Sequence, residues 1–151
     1  MSEKLARIED YIFNNGIELI NYNFKSDNIK AMCSNNLIAL SPKIETAKEK
    51  LCILMEELAH IRINTGDITQ NSKEELKARS IAYNSLIGLK GIVASYEHGC
   101  ISRFEMAEYL EVTEKFLDEA LNWYKSKYGL FTIYENYKIQ FIPNLSVTKI
   151  V

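Results

Sequence analysis

The chain has 151 residues, of which 47% are hydrophobic and 25% charged, and its net charge is -2 from 18 basic and 20 acidic side chains. That length and balance describe an ordinary soluble globular protein of one domain, able to bury a core without disulfides or a metal. They give no general pull toward nucleic acid or an anionic membrane. No run reaches the roughly 18 apolar residues of a membrane span, and Met1-Ser2-Glu3-Lys4 leads into an amphipathic stretch without a signal-peptide core.

Leu5, Ile8, Ile12 and Phe13 recur at helical spacing, and Asn14-Asn15-Gly16 ends that helix. Ile17 to Phe24 alternates as a strand, Ser26-Asp27-Asn28 turns, Ile29 to Cys33 forms a second strand, and Leu37 to Leu40 a third. The short connections predict an antiparallel meander. Ser41-Pro42 breaks the sheet, and Thr46-Ala47-Lys48-Glu49 is a capping box that starts a helix with Ala47, Leu51, Leu54, Met55, Leu58 and Ile61 on one face. Gly66 suits its C-terminal cap. Ser72-Lys73-Glu74-Glu75 is a second capping box and starts a helix carrying Leu76, Ala78, Ile81, Ala82, Leu86 and Ile87. Gly88 and Gly91 interrupt that pattern before a helix from about Leu89 to Glu97. A third box, Ser102-Arg103-Phe104-Glu105, opens two short helices around Glu111-Val112-Thr113. Leu130 to Tyr134 and Lys138 to Ile142 then alternate as a C-terminal hairpin.

The chemistry-bearing segment is Glu56-Glu57-Leu58-Ala59-His60, at the end of the apolar run Leu51 to Met55. It reads as the zinc-peptidase motif H-E-x-x-H with glutamate in place of the first histidine. In that motif two histidines one helical turn apart hold zinc, and the adjacent glutamate activates water. Glu56 and His60 project on the same side of the helix, and Glu57 is rotated by roughly 100° from Glu56. A third ligand is needed to leave a fourth position open for water. The bland alternatives are a solvated acidic helix face, and a half-buried His60 bonded to backbone.

With its second helix, Glu75-Leu76-Lys77-Ala78-Arg79-Ser80-Ile81-Ala82, the chain resembles the ImmA/IrrE group of zinc-peptidase-like proteins of bacterial mobile elements and prophages. That family combines a small sheet, an H-E-x-x-H helix and a helix reading about E-x-x-A-N-x-F-A. Glu75, Ala78 and Ala82 match, Ile81 stands for the aromatic residue and Arg79 for the asparagine. The resemblance runs from about Ile17 to Gly129, and the sequence from Lys50 through Gly66-Asp67-Ile68 and on to Tyr128-Gly129 is similar to phage-encoded Gram-positive members. It implies an α+β fold: a small antiparallel three-stranded sheet on a zincin-like helical core at 1–100, with a helical extension and C-terminal hairpin at 101–151, forming one compact unit. It implies metal ligands Glu56, His60 and Glu75, with Glu57 as catalytic base. Glu75 also has a plainer role available, as the last residue of a capping box.

The substitution of Glu56 for histidine changes the electrostatics. A His-His-Glu site around Zn²⁺ carries a net charge of about +1, whereas Glu-His-Glu is neutral, so the bound water is acidified less. The extra carboxylate favours harder ions such as Mn²⁺ or Mg²⁺, although zinc still accepts carboxylate oxygen. Zn²⁺, Mn²⁺ or no metal are therefore the alternatives.

Other motifs are weaker. His98 precedes Gly99-Cys100 at a helix end, where a histidine favours the C-terminal dipole. Gly88-x-x-Gly91 lacks a phosphate-loop pattern, and no Ser-His-Asp or Cys-His arrangement is present locally. The sequence identifies no residue that would stabilise a tetrahedral intermediate; Tyr83 is a guess with no geometric support. Phe104 to Leu121 resembles a helix-turn-helix, but Ser102 to Tyr128 carries six acidic and four basic side chains, the wrong sign for phosphate binding. Cys33, Cys52 and Cys100, odd in number and widely spaced, suit reduced thiols in a cytoplasm. The expectation is a cytoplasmic metal-dependent endopeptidase acting on a protein such as a helix-turn-helix repressor. The alternatives are a catalytically inactive protein-binding module and, third, a small DNA-binding regulator. Oligomeric state is not readable from the sequence.

Overall fold

The computed structural model describes residues 2–63 and 72–150. The chain divides into two compact units, Met1–Ala82 and Tyr83–Val151.

The first unit opens with α1 (Glu3–Asn14), capped by Ser2, whose hydroxyl accepts from the Leu5 N–H at 3.1 Å. Three strands follow: β1 (Glu18–Asn21), β2 (Ala31–Ser34) and β3 (Leu37–Leu40). The strand order is β1-β3-β2, with β2 antiparallel and β1 parallel to β3. The α+β class stands, but this one parallel pairing departs from a meander. Its cause lies in β3, an uninterrupted apolar run suited to a central strand. Nine residues, 22–30, link β1 to β2 and are long enough to carry the chain past β3, so the turn at Ser26-Asp27-Asn28 does not pair its neighbours.

Ile38 and Leu40 of β3 point into a core completed by Ile12 of α1 and by Leu54 and Leu58 of α2 (Ala47–Ile63). Each such side chain stabilises the fold by about 1.5–3 kcal/mol. The α2 helix begins as its capping residue predicts: the Thr46 hydroxyl accepts from the Glu49 N–H at 3.1 Å. Its buried residues are Leu51, Cys52, Leu54, Met55, Leu58, Ala59 and His60, a band too wide for a helix with one wet face. The expected cap at Gly66 lies outside the described residues, as does the Ser72 side chain of the second capping box. The α3 helix spans Ser72–Leu86 and passes from the first unit into the second.

In the second unit, α4 (Gly88–His98), α5 (Arg103–Leu110) and α6 (Glu114–Tyr128) precede β4 (Phe131–Tyr134), β5 (Tyr137–Gln140) and β6 (Ser146–Lys149). Gly88, at φ +65°, allows the kink that separates α4 from α3. Ser102 and Thr113 cap α5 and α6 through the Glu105 and Phe116 N–H groups, at 3.1 and 3.0 Å. The C-terminal hairpin is present and gains a third antiparallel strand, β6, in the order β4-β5-β6. That strand is mostly exposed, so it lacks the apolar alternation that marks a strand in sequence. No helix of the described residues is long and apolar enough to cross a membrane.

Candidate metal centre

The α2 helix carries Glu56, Glu57 and His60, and α3 carries Glu75. His60 is only 4% exposed. Its Nε2 lies 3.1 Å from Glu75 Oε2, so the helices bring together the two residues that sequence spacing left 15 positions apart. The other oxygen, Glu75 Oε1, lies 3.3 Å from Arg79 Nε one turn further along α3. His60 Nδ1 is buried without a hydrogen-bond partner among the described residues. Such an orphaned polar atom costs stability and marks a group kept for something other than packing. His60 is thus fully buried and faces a side chain, not a backbone group.

Glu57 points to a different neighbour. The Cys33 thiol of β2 donates to its carboxylate. Burial raises the Glu57 pKa above the ordinary carboxyl value, the Glu75 charge adds to the rise, and Cys33 and His60 pull the other way. Burial also raises the Cys33 thiol, helped by the Glu57 charge beside it, so Cys33 is a neutral donor rather than a nucleophile. Cys33 does not stand out in the sequence as part of this site, and Arg79 does so only as a departure from the motif's asparagine. Cys33 reads there only as the end of a short strand, and nothing local says that β2 lies against α2.

Glu56 is half-buried one turn before His60. Among the described residues, no three His, Cys, Asp or Glu side chains are grouped to hold one ion. The donor chemistry nevertheless fits a metal at two corners. Ligands of a tetrahedral ion bonded at about 2.0–2.2 Å lie roughly 3.3–3.5 Å apart, close to the observed 3.1 Å between His60 Nε2 and Glu75 Oε2. Glu56 is the carboxylate on the same helix face that could supply the third.

An apolar helix bearing a glutamate and a buried histidine, joined to a carboxylate on the next helix beside a small sheet, defines a metallopeptidase-like α+β protein. The family model described as the IrrE N-terminal-like domain, peptidase family M78, matches residues 14–122. That is well over half the chain, and the protein belongs to this family. No curated protein and no solved structure gives a significant match.

Proposed function

We propose that this IrrE-like chain is a metal-dependent endopeptidase acting on a protein substrate. The reading is carried by the convergence of His60 Nε2 and Glu75 Oε2 at 3.1 Å from two helices. His60, Glu75 and Glu56 are the residues that would hold a divalent cation, Zn²⁺ first and Mn²⁺ second. When bound, such an ion acidifies water and polarises a carbonyl. Glu57 is the proton carrier: its raised pKa brings it nearer neutrality, where a general base that later returns the proton as an acid works best. Cys33 orients that carboxylate by donating to it. By analogy with the family the sequence resembles, the substrate is a protein such as a helix-turn-helix repressor of a mobile element, in a cytoplasmic setting where cysteines form no disulfides.

The α5–turn–α6 segment is proposed as a structural module or protein-docking element, because its acidic balance opposes phosphate binding. Metal content by mass spectrometry on untagged protein tests the leading reading. Stoichiometric zinc that disappears in Glu75→Ala is expected. Absence of metal under zinc supplementation would replace the enzyme with a protein-binding module of the same fold.

A further inference from the structure

Two departures from the family pattern fall on the two helices that carry the proposed ligands. Glu56 in place of histidine adds one negative charge, and Arg79 in place of asparagine adds one positive charge, so the two cancel. The Arg79 guanidinium forms an ion pair with Glu75, its Nε 3.3 Å from Oε1, while Glu75 Oε2 faces His60 at 3.1 Å. Both oxygens of the proposed ligand therefore have protein partners. An exposed pair one turn apart on a helix contributes little to stability, so packing does not explain why a guanidinium sits here.

We infer that Arg79 is a resident cation that competes with the metal for Glu75 and keeps the site's affinity for divalent ions low. The inference rests on the reading of His60 and Glu75 as ligands. A guanidinium stays charged at every pH at which the protein folds, so its repulsion of an incoming divalent ion is always present. A unit charge about 6 Å from such an ion weakens its binding roughly three- to tenfold in water-like surroundings, the smaller figure applying once salt screens it. Loading then follows the ambient metal supply, and in the empty site the guanidinium offsets one of the carboxylate charges.

The test is calorimetric titration with Zn²⁺ alone on the untagged full chain, at low and at high salt. Arg79→Gln is expected to bind zinc roughly three- to tenfold more tightly than the natural chain, with a gap that narrows as salt rises. Arg79→Lys, which keeps the charge, stays within about twofold. Arg79 is exposed, so these variants should fold, and matching circular dichroism melts confirm it. An unchanged affinity in Arg79→Gln makes the pair an ordinary surface contact and overturns the inference. Weaker binding makes Arg79 only an orienting residue and overturns it equally. In either case zinc still binds and the ligand reading stands. If neither the natural chain nor Arg79→Gln binds zinc, the ligand reading falls and this inference falls with it.

Discussion

Two buried polar side chains, one in each unit, show opposite uses of the same cost. Tyr124 of α6 is 0% exposed, yet its hydroxyl accepts from the Gly88 N–H at 3.0 Å and donates to Asn84 Oδ1 at 3.1 Å. Its ring is flanked by Tyr128 and Phe141. Every polar demand is met, and the group ties α6 to the end of α3 and the start of α4. His60 of α2 is nearly as buried, but only Nε2 has a partner, itself a carboxylate, and Nδ1 has none among the described residues. A satisfied buried group builds architecture, whereas a half-satisfied one is retained despite its cost. The second unit's tyrosine is architectural, and the unsatisfied nitrogen of the first unit's histidine is the observation behind its proposed role as a ligand.

The strongest way to break this contrast is to remove each group and read both stability and metal binding. His60→Ala and Glu75→Ala should each weaken Zn²⁺ binding by more than about 100-fold, since even residues behind a ligand are worth about 10–100-fold. Titration calorimetry reads this directly, and retained affinity in either variant would remove it from the ligand set. Tyr124→Phe should leave zinc binding untouched and cost about 1–3 kcal/mol in urea unfolding, because the Gly88 N–H loses its acceptor. Replacing His60 by leucine should be near neutral in the same urea experiment, since the apolar side chain abolishes the orphaned nitrogen. A loss as large as that of Tyr124→Phe would make His60 architectural and erase the distinction.

The same contrast explains what the sequence could reveal. The boundaries of α1 and β3 were legible because apolar periodicity and the turns flanking them coincide at Glu3–Asn14 and Leu37–Leu40. The parallel place of β1 was not, because strand order depends on which strand is buried on both faces, and that is a property of the assembled sheet. The candidate ligands on α2 and α3 could be named from spacing and family likeness, and His60 and Glu75 do meet. Cys33 could not be linked to Glu57, because the two are joined by packing across 24 residues of sequence rather than by any motif. Arg79 was visible only as a departure from a pattern, and its partner became clear once Glu75 was seen to divide its two oxygens.

A smaller effect sharpens the chemistry of the first unit. The folded chain holds a proton on Glu57 more tightly than the unfolded chain does, because burial raises its pKa from the ordinary 4.5. Between that value and the raised folded one, the native state binds more protons, so its stability falls as pH rises through the window and is level below it. Glu57→Gln should flatten that slope in urea unfolding measured from pH 4 upward, by on the order of 1 kcal/mol for each pH unit that the window spans. Cys33→Ala removes a donor that holds the carboxylate down, so the slope should extend to higher pH. Identical slopes in all three chains would place Glu57 in solvent-like surroundings and end its candidacy as a tuned base.

The least effect is expected in the second unit's helix–turn–helix, at the Arg103–Asp118 pair between α5 and α6. Both side chains are about half exposed, where an ion pair gains little after paying for side-chain order and is screened by salt. What holds the turn is apolar: Val112 and Leu117 are fully buried, Phe116 nearly so, and Glu111 takes the left-handed conformation at φ 61°. Arg103→Ala should therefore change unfolding stability by less than about 1 kcal/mol, and that small loss should vanish at high salt. It also removes one of only four basic residues between Ser102 and Tyr128. If the segment gripped DNA, the same substitution would instead produce a clear, salt-sensitive loss of duplex binding in a shift assay. An undetectable duplex affinity in both chains, with unchanged folding, is the outcome expected of a docking module whose shape comes from its core rather than from its charge.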